Sequence, residues 1–431
     1  MKQLCHDLAA WEAYLTSQAG LTALTLLYGD GARDQAARYL AAARRYVERF
    51  GNHPFAFLSA PGRTELSGNH TDHQRGRVLA AAVALDILAV AAPAEDGRVR
   101  MFDSYGDIDI NVDDTALHPE EVNRTEALIR GVAVGMRNHG YRAGGFDAHL
   151  TSDVPKGSGL SSSAAIEVLF GTLMNHFYNA GRIGAPRVAQ IGQYAENVYF
   201  GKPCGLMDQM SSSVGGIVSI DFKDTEEPLV RRLACDGFPP AYTLCIVDTR
   251  GDHADLTQEY ADIPGEMRAV AAYFDKEVLR DVSQEAFYAA LPVLREQAPQ
   301  RGVLRAIHFF GENERVVHQA KALEDGDMET YRTLMLASGD SSFKLLQNIF
   351  PVTHTGERSV ALGLALSERM LADTGAWRVH GGGFAGTIQA LVPRVQAAAF
   401  TAEMTRVFGG GCCYPLMVRP VGGYCLPGPA F

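Results

Sequence analysis

The stretch PKGSGLSSSAA, residues 155–165, is where the chemistry of this chain first becomes readable. Two glycines and four serines fall within these eleven residues. Behind them Ala164, Ala165, Val168, Leu169, Leu173 and Phe177 recur at helical spacing. The pattern predicts a glycine-rich turn opening a helix over 161–178. Gly157 and Gly159 allow positive φ and close backbone approach. Ser161, Ser162 and Ser163 suit a helix N-terminus, where hydroxyls cap orphan N–H groups. The free N–H groups and the dipole of such an end both favour negative charge. A phosphate cradle is one reading; a well-capped helix after a flexible loop is the other. The stretch is no Walker A loop, because GxxxxGK[ST] does not occur and Lys156 precedes the glycines. A nucleotide site here would rest on backbone amides and serine hydroxyls.

Working outward, residues 145–152 alternate as a strand that delivers the chain to this loop. Residues 120–139 read as a helix, and 99–104 with 108–112 as a hairpin. The apolar run 78–94, interrupted by Asp86, reads as two buried strands. Residues 55–60 read as a short strand closed by Pro61-Gly62, with a polar loop over 63–75. Residues 1–51 read as helices packed on the domain that begins at Phe55. Downstream, a helix starts at Pro186, followed by the loop GKPCGLMDQMSSSVGG (201–216) and a strand over 217–222. The charged, proline-bearing segment 224–240 marks a boundary. Beyond it come a strand over 243–249, mostly helices to about residue 371, the loop RVHGGGFAGTIQALV (378–392) and a helix to about residue 406. The tail, 414–424, could add a last strand. The expected division is 1–51, 52–238 and 239–431.

Composition sets the frame. At 431 residues the chain suits two domains, and 47% hydrophobic with 21% charged residues is ordinary for a globular protein. A formal charge of -11 argues against a sequence-independent grip on nucleic acid. Seven scattered cysteines without CxxC spacing read as reduced thiols in a cytoplasmic protein. No signal peptide or membrane span is expected.

Three further constellations could do chemistry. The segment APGRTELSGNHTDHQRGRVL (60–79) concentrates Arg63, Glu65, Asn69, His70, Asp72 and His73 between apolar strands. That density suits a binding loop or an ordinary solvated one. Its His and Asp spacing is too tight for a common zinc set. Glu196 and Asp208 could supply the two carboxylates of a phosphoryl transfer, one orienting a hydroxyl and one holding Mg²⁺. Alternatively they are a helix-surface acid and a helix cap. Gly381, Gly382, Gly383 and Gly386 suit a turn where backbone approaches a ligand.

Taken in order, these four segments resemble the GHMP family of small-molecule kinases, and its galactokinase branch above all. APGR…GNHTDH, PKGSGLSSSAA, GKPCGLMDQ and RVHGGGFAGT carry the resemblance, with weaker matches in TRGDHADLTQEY (249–260) and RAIHFFGENERV (305–316). Together they cover residues 55 to about 395. The resemblance implies an α+β fold of two domains, ribosomal-S5-like then ferredoxin-like, with the active site in the cleft between them. It implies ATP and Mg²⁺ as cofactors, a small-molecule sugar as partner, no nucleic acid or membrane, and a monomer or weak homo-oligomer. By it, Arg63 and Asp208 match the catalytic pair, and Ser162 and Glu196 the metal ligands. Gly157, Ser158, Gly159, Leu160, Ser161, Ser162 and Ser163 match the ATP cradle. Asn69, His70, Asp72, Gly205 and Tyr260 match sugar-contacting positions. The implied reaction is phosphorylation of an aldose, galactose in the first instance, at its anomeric hydroxyl. Another sugar, or a silent sugar sensor, are the alternatives. Two departures bear on the sugar: Asn69 stands where the family has glutamate, and His73 where it has tyrosine.

Overall fold

The computed structural model describes residues 5–155, 158–235, 237–251 and 256–429. Three helices come first, α1 (Leu8–Leu15), α2 (Gln18–Tyr28) and α3 (Ala32–Phe50). Then follow two long strands, β1 (Ala56–Ser67) and β2 (Arg77–Ala94), the hairpin β3 (Arg98–Phe102) and β4 (Asp107–Asn111), helix α4 (Thr125–Asn138) and strand β5 (Gly145–Ser152). Helices α5 (Ser162–Asn179), α6 (Ala185–Tyr194) and α7 (Met207–Val214) precede the strands β6 (Ile217–Asp221) and β7 (Leu229–Arg232). The second half opens with β8 (Tyr242–Asp248) and runs through α8 (Thr257–Ala272), α9 (Gln284–Gln297), α10 (Gln300–Asp325), α11 (Met328–Ser341) and α12 (Ser359–Leu371). It closes with β9 (Ala376–His380), β10 (Thr387–Pro393), α13 (Ala397–Phe408), β11 (Cys413–Leu416) and β12 (Tyr424–Cys425).

Two sheets result. The first has the order β12-β1-β2-β5-β3-β4, with β6 and then β7 added beside the start of β2. All its pairs are antiparallel except β3 with β5. The second is antiparallel with the order β11-β8-β10-β9. In chain order that is strand 4, 1, 3, 2 of a β-α-β-β-α-β unit, the ferredoxin-like arrangement. Helices α4 and α5 bury Ile129, Val132, Val168 and Leu169 against Leu58, Ala89 and Phe146 of the first sheet. No helix among the described residues is long and apolar enough to cross a membrane.

Two expectations about strands need correction. The run 78–94 is one strand of 18 residues, not two. Asp86 does not break it, because its carboxylate is fully supplied with partners. The strand expected to end at Pro61-Gly62 continues to Ser67. The register shifts between Pro61 and Arg63, and a bulge tolerates a residue that cannot donate to the ladder. Arg63 therefore sits on a strand, not in a loop.

The N-terminal helices belong to the core of the first sheet. Trp11, Leu15, Tyr39 and Tyr46 pack with Phe55, Phe57, Leu88, Val90 and Leu426. Helix α3 presents Ala32, Ala36, Tyr39, Ala43 and Tyr46 at the three-to-four spacing of one buried face. The tail also returns: β12 pairs with β1, and Val83 bridges Val418. The unit expected over 239–431 thus leaves its last residues with the first sheet.

These segments meet at Asp86. Its carboxylate takes Arg38 Nη1 at 2.8 Å, Arg419 Nη1 at 2.5 Å and the Tyr28 hydroxyl at 2.6 Å. Arg419 also donates to Ser59 Oγ at 2.8 Å. Burial alone would raise the Asp86 carboxyl, but Arg38 and Arg419 outweigh it and hold it below its usual range. Removing one partner of a buried ion pair leaves an uncompensated charge, which costs about 3–5 kcal/mol. Arg419→Met is expected to lower unfolding free energy by about that much in urea titrations. Arg45→Met, which breaks the exposed Arg45–Glu48 pair at 3.3 Å, is expected to change it by less than about 1 kcal/mol. A carboxyl lowered in the folded state stabilises at neutral pH, and that share is lost as pH falls through its lowered range. The deficit of Arg419→Met is therefore expected to shrink in acid; a deficit independent of pH would remove Asp86 as its source.

Candidate active site

The loop after β5 lies against β1. Ser158 is buried and its hydroxyl donates to the Pro155 carbonyl at 2.8 Å. Gly159 has φ of +71°, and a Cβ there would lie 3.0 Å from His380 Nδ1. Leu160 is fully buried, and its carbonyl accepts the Arg63 backbone N–H at 3.0 Å. Ser161 takes a left-handed φ of +54° and makes no side-chain cap bond, so Ser162 opens α5 with its amide end free of a hydroxyl cap. Ser162 and Ser163 line a cavity of about 550 Å³, shared with Ile87, Tyr105, Asn123, Leu128 and Leu150. Gly157, expected in the same cradle, lies outside the described residues.

A second cavity, about 280 Å³, is lined by Arg63, Glu65, Asn69, His70, Asp72, His73, Met207, Gly381 and Gly382. Arg63 joins the two regions. Its Nε and Nη2 form a bidentate pair with Asp208 Oδ1 and Oδ2 at 2.7 and 2.5 Å, and its Nη1 donates to the Gly159 carbonyl. Asp208 is the second residue of α7, where the helix end favours an acid. The expected pair is thus assembled from a strand and a helix start, 145 residues apart.

The loop 68–76 that carries the other expected sugar contacts is held from behind by α10. Glu312 accepts from Ser67 Oγ and the Gly68 N–H, both at 3.0 Å, and from Ser338 Oγ at 2.7 Å. Burial opposes that charge, but Arg315, His308 and Arg378 hold the Glu312 carboxyl well below its usual range. His308, one turn earlier, lies 2.9 Å from the Asn69 carbonyl. Arg378 pairs with the buried Glu65 at 2.8 Å; burial outweighs that partner and raises the Glu65 carboxyl.

The remaining expected residues fall into place unevenly. Asp72 lines the cavity, its carboxyl raised by burial with the Asp208 charge adding. Gly205 faces it, since a Cβ there would lie 3.0 Å from Asp72 Oδ2. His70 lines the cavity with its Nε2 3.0 Å from the Gly382 carbonyl. Tyr260 stands behind the wall: its ring lies under Gly382 and its hydroxyl donates to the Gly383 carbonyl at 3.0 Å. Asn69 is buried and turned inward, towards Glu65, Gly381 and Asn348.

Glu196 is buried in a π turn that extends α6, Ala195–Phe200. Its Oε2 accepts from Gln209 Nε2 at 2.8 Å, and the same nitrogen reaches Glu167 Oε2 at 2.9 Å. Burial, then the Glu196 charge, pushes the Glu167 carboxyl well above its usual range. Glu167 lies on the helix that Ser162 opens, so Gln209 ties the two expected metal ligands' elements together. No group of three or more His, Cys, Asp or Glu among the described residues is arranged around a metal. A hydroxyl and a carboxylate are nonetheless the hard oxygen donors that Mg²⁺ takes in small numbers beside substrate phosphates.

Glu167, Gln209, His308, Glu312 and Asn348 were not singled out from the sequence. His308 and Glu312 had a signal, an i,i+4 pair sharing one face of a helix. Glu167 had one too, as an acid inside the apolar stripe of α5. Asn348 had none, because its partner Asn69 is 279 residues away.

Known proteins resemble this chain in sequence and fold. Residues 127–216 match the GHMP kinases N terminal domain, and residues 44–93 match the galactokinase galactose-binding signature. A galactokinase of Streptomyces coelicolor is 33% identical over 365 residues, covering 84% of this chain and 91% of that protein. The crystal structure of Lactococcus lactis galactokinase complexed with galactose superposes with a TM-score of 0.75 at 23% identity, covering 88% of this chain and 98% of the other. Methanococcus jannaschii mevalonate kinase follows the same fold at a TM-score of 0.60 and 13% identity, over 84% of this chain and 98% of its own. With the fold, the signatures and a relative spanning most of its length in agreement, the chain belongs to the galactokinase family of GHMP kinases.

Proposed function

We propose that this protein is a cytoplasmic galactokinase, transferring the γ-phosphoryl group of ATP to the anomeric hydroxyl of galactose to give galactose 1-phosphate and ADP. The observation that carries the reading is the bidentate Arg63–Asp208 pair, set where the serine-rich loop meets the smaller cavity. A sugar hydroxyl is a weak nucleophile at neutral pH. Asp208 is placed to orient that hydroxyl and to take its proton as the new P–O bond forms and the bond to ADP breaks. Arg63 then balances charge on the group in flight while staying anchored to the loop.

The larger cavity, lined by Ser162 and Ser163 at the uncapped start of α5, suits the nucleotide, since a helix N-terminus favours phosphate. Ser158, Gly159, Leu160, Ser161, Ser162 and Ser163 shape that cradle. Ser162 and Glu196 would hold Mg²⁺, which would supply positive charge against the phosphates. The smaller cavity, with Asp72, His70, Gly205 and Asn69 around it and Tyr260 behind its wall, suits the sugar. Such transfer depends mainly on positioning and charge, and this chain supplies both through groups fixed by burial. We read the protein as a monomer or weak homo-oligomer.

A second reading keeps the chemistry and changes the aldose. Asn69 favours it, because the amide at that position is engaged within the protein and no carboxylate stands there. A panel of free sugars with ATP, scored by ADP release and by the position phosphorylated, separates the two; galactose is expected to lead with product at C1. Asp208→Ala is expected to lower kcat by roughly 10²–10⁴ with the thermal transition retained. Normal turnover in that variant sinks the assignment. Glu196→Gln is expected to raise the Mg²⁺ concentration needed for half-maximal rate, and an unchanged Mg²⁺ dependence would remove Glu196 from the metal site.

A further inference from the structure

The hydrogen-bonding capacity of the side chains around the smaller cavity is largely taken up inside the protein. Asn69 Nδ2 donates to the Gly381 carbonyl at 2.6 Å and to Glu65 Oε1 at 3.2 Å. Its Oδ1 accepts from Asn348 Nδ2 at 2.8 Å. An amide has two N–H groups and one oxygen, so Asn69 has little left for a ligand.

The two histidines beside it form a directed chain. His70 Nε2 lies 3.0 Å from the Gly382 carbonyl. A carbonyl only accepts, so the proton is on Nε2. Burial pushes His70 down to about 4, so the ring is neutral and its Nδ1 carries a lone pair. His73 Nε2 stands 3.3 Å from His70 Nδ1 and must donate to it. Burial likewise holds His73 well below its usual range, so the proton on Nε2 is its only one. His73 Nδ1 is left as a bare acceptor. That atom is buried, has no hydrogen-bond partner among the described residues, and belongs to a side chain that lines the cavity. Buried acceptors are normally paired, so one without a partner beside a cavity calls for a ligand donor.

We infer that His73 Nδ1 accepts a hydrogen bond from one hydroxyl of the sugar and so helps set which sugar is used. The inference rests on the kinase reading above and deepens it. The Gly382 carbonyl fixes the tautomer of His70, and His70 fixes that of His73. The polarity of the reading atom is thereby set two rings away. Asp72 lines the same cavity with a carboxylate, which also accepts. Together His73 and Asp72 give the lining two acceptor groups beside the donors of Arg63. These two groups take a ligand that presents hydroxyl donors to them.

The test uses galactose and its monodeoxy analogues. Wild type is expected to lose about tenfold in kcat/KM for the analogue lacking the hydroxyl read by His73, as befits one hydrogen bond. His73→Phe is expected to lose about tenfold on galactose, mainly in KM, and nothing further on that analogue, so selectivity collapses at a single ring position. His73→Gln keeps an N–H near the Nε2 position for His70 but has no acceptor at Nδ1, and is expected to match His73→Phe with less disturbance of packing. His73→Asn, whose amide oxygen falls near the Nδ1 position, is expected to recover part of the selectivity. Unchanged selectivity in His73→Gln, or a loss spread evenly over every analogue, overturns the inference. If wild type releases no ADP with any sugar, the kinase reading falls instead. Calorimetric binding of the same sugars to wild type and His73→Gln then decides His73 separately: equal selectivity overturns it, and collapse at one position supports it.

Discussion

Arg63 is the constraint on which the site depends. One guanidinium holds Asp208 through two nitrogens and the Gly159 carbonyl through the third. Its own backbone N–H fixes the next carbonyl of the same loop. The planar fork of arginine suits this, because it presents donors in a fixed geometry where lysine would offer a mobile point charge. A residue with this task needs a rigid base, and β1 supplies it: the strand continues on both sides of the register shift at Pro61–Arg63.

The rest of the molecule stiffens what surrounds that pair. Glu312 and His308 grip the loop beyond β1 from a buried helix face, and Glu65–Arg378 closes it from the second sheet. Glu312, Glu65 and Arg378 are buried ionisable groups with partners in distant segments. Such groups are costly to desolvate and are tolerated where each lone pair and proton finds a partner. The cavity they enclose is therefore defined by polar contacts across the interface of two sheets, and a shift of either sheet would unpair several at once.

Local patterns carried much of this into the sequence. The helix after the serines, strand β5 and the β3–β4 hairpin follow from periodicity and turn residues. The segments of the active site were legible because their residue types are unusual in their setting: serines before an apolar stripe, a polar cluster between apolar strands. What periodicity could not show was pairing at long range. Asp86 looked like a break in a strand because Arg38 and Arg419 lie 48 and 333 residues away. Pro61 looked like a stop because a bulge is a property of two strands, not one. Asn69 invited reading as a ligand-facing group, while its partner Asn348 belongs to the other half of the chain.

The knot at Asp86 also bears on how the chain is made. Arg419 follows Asp86 by 333 positions. At a synthesis rate of roughly 5–20 residues per second, Asp86 precedes its second cation by about 17–67 s. For that interval Asp86 has only Arg38 of its two arginine partners, and β1 has no β12 to pair with. β1 therefore completes its pairing only after residues 419–425 are made, so the order of translation makes that segment a late step of the first sheet.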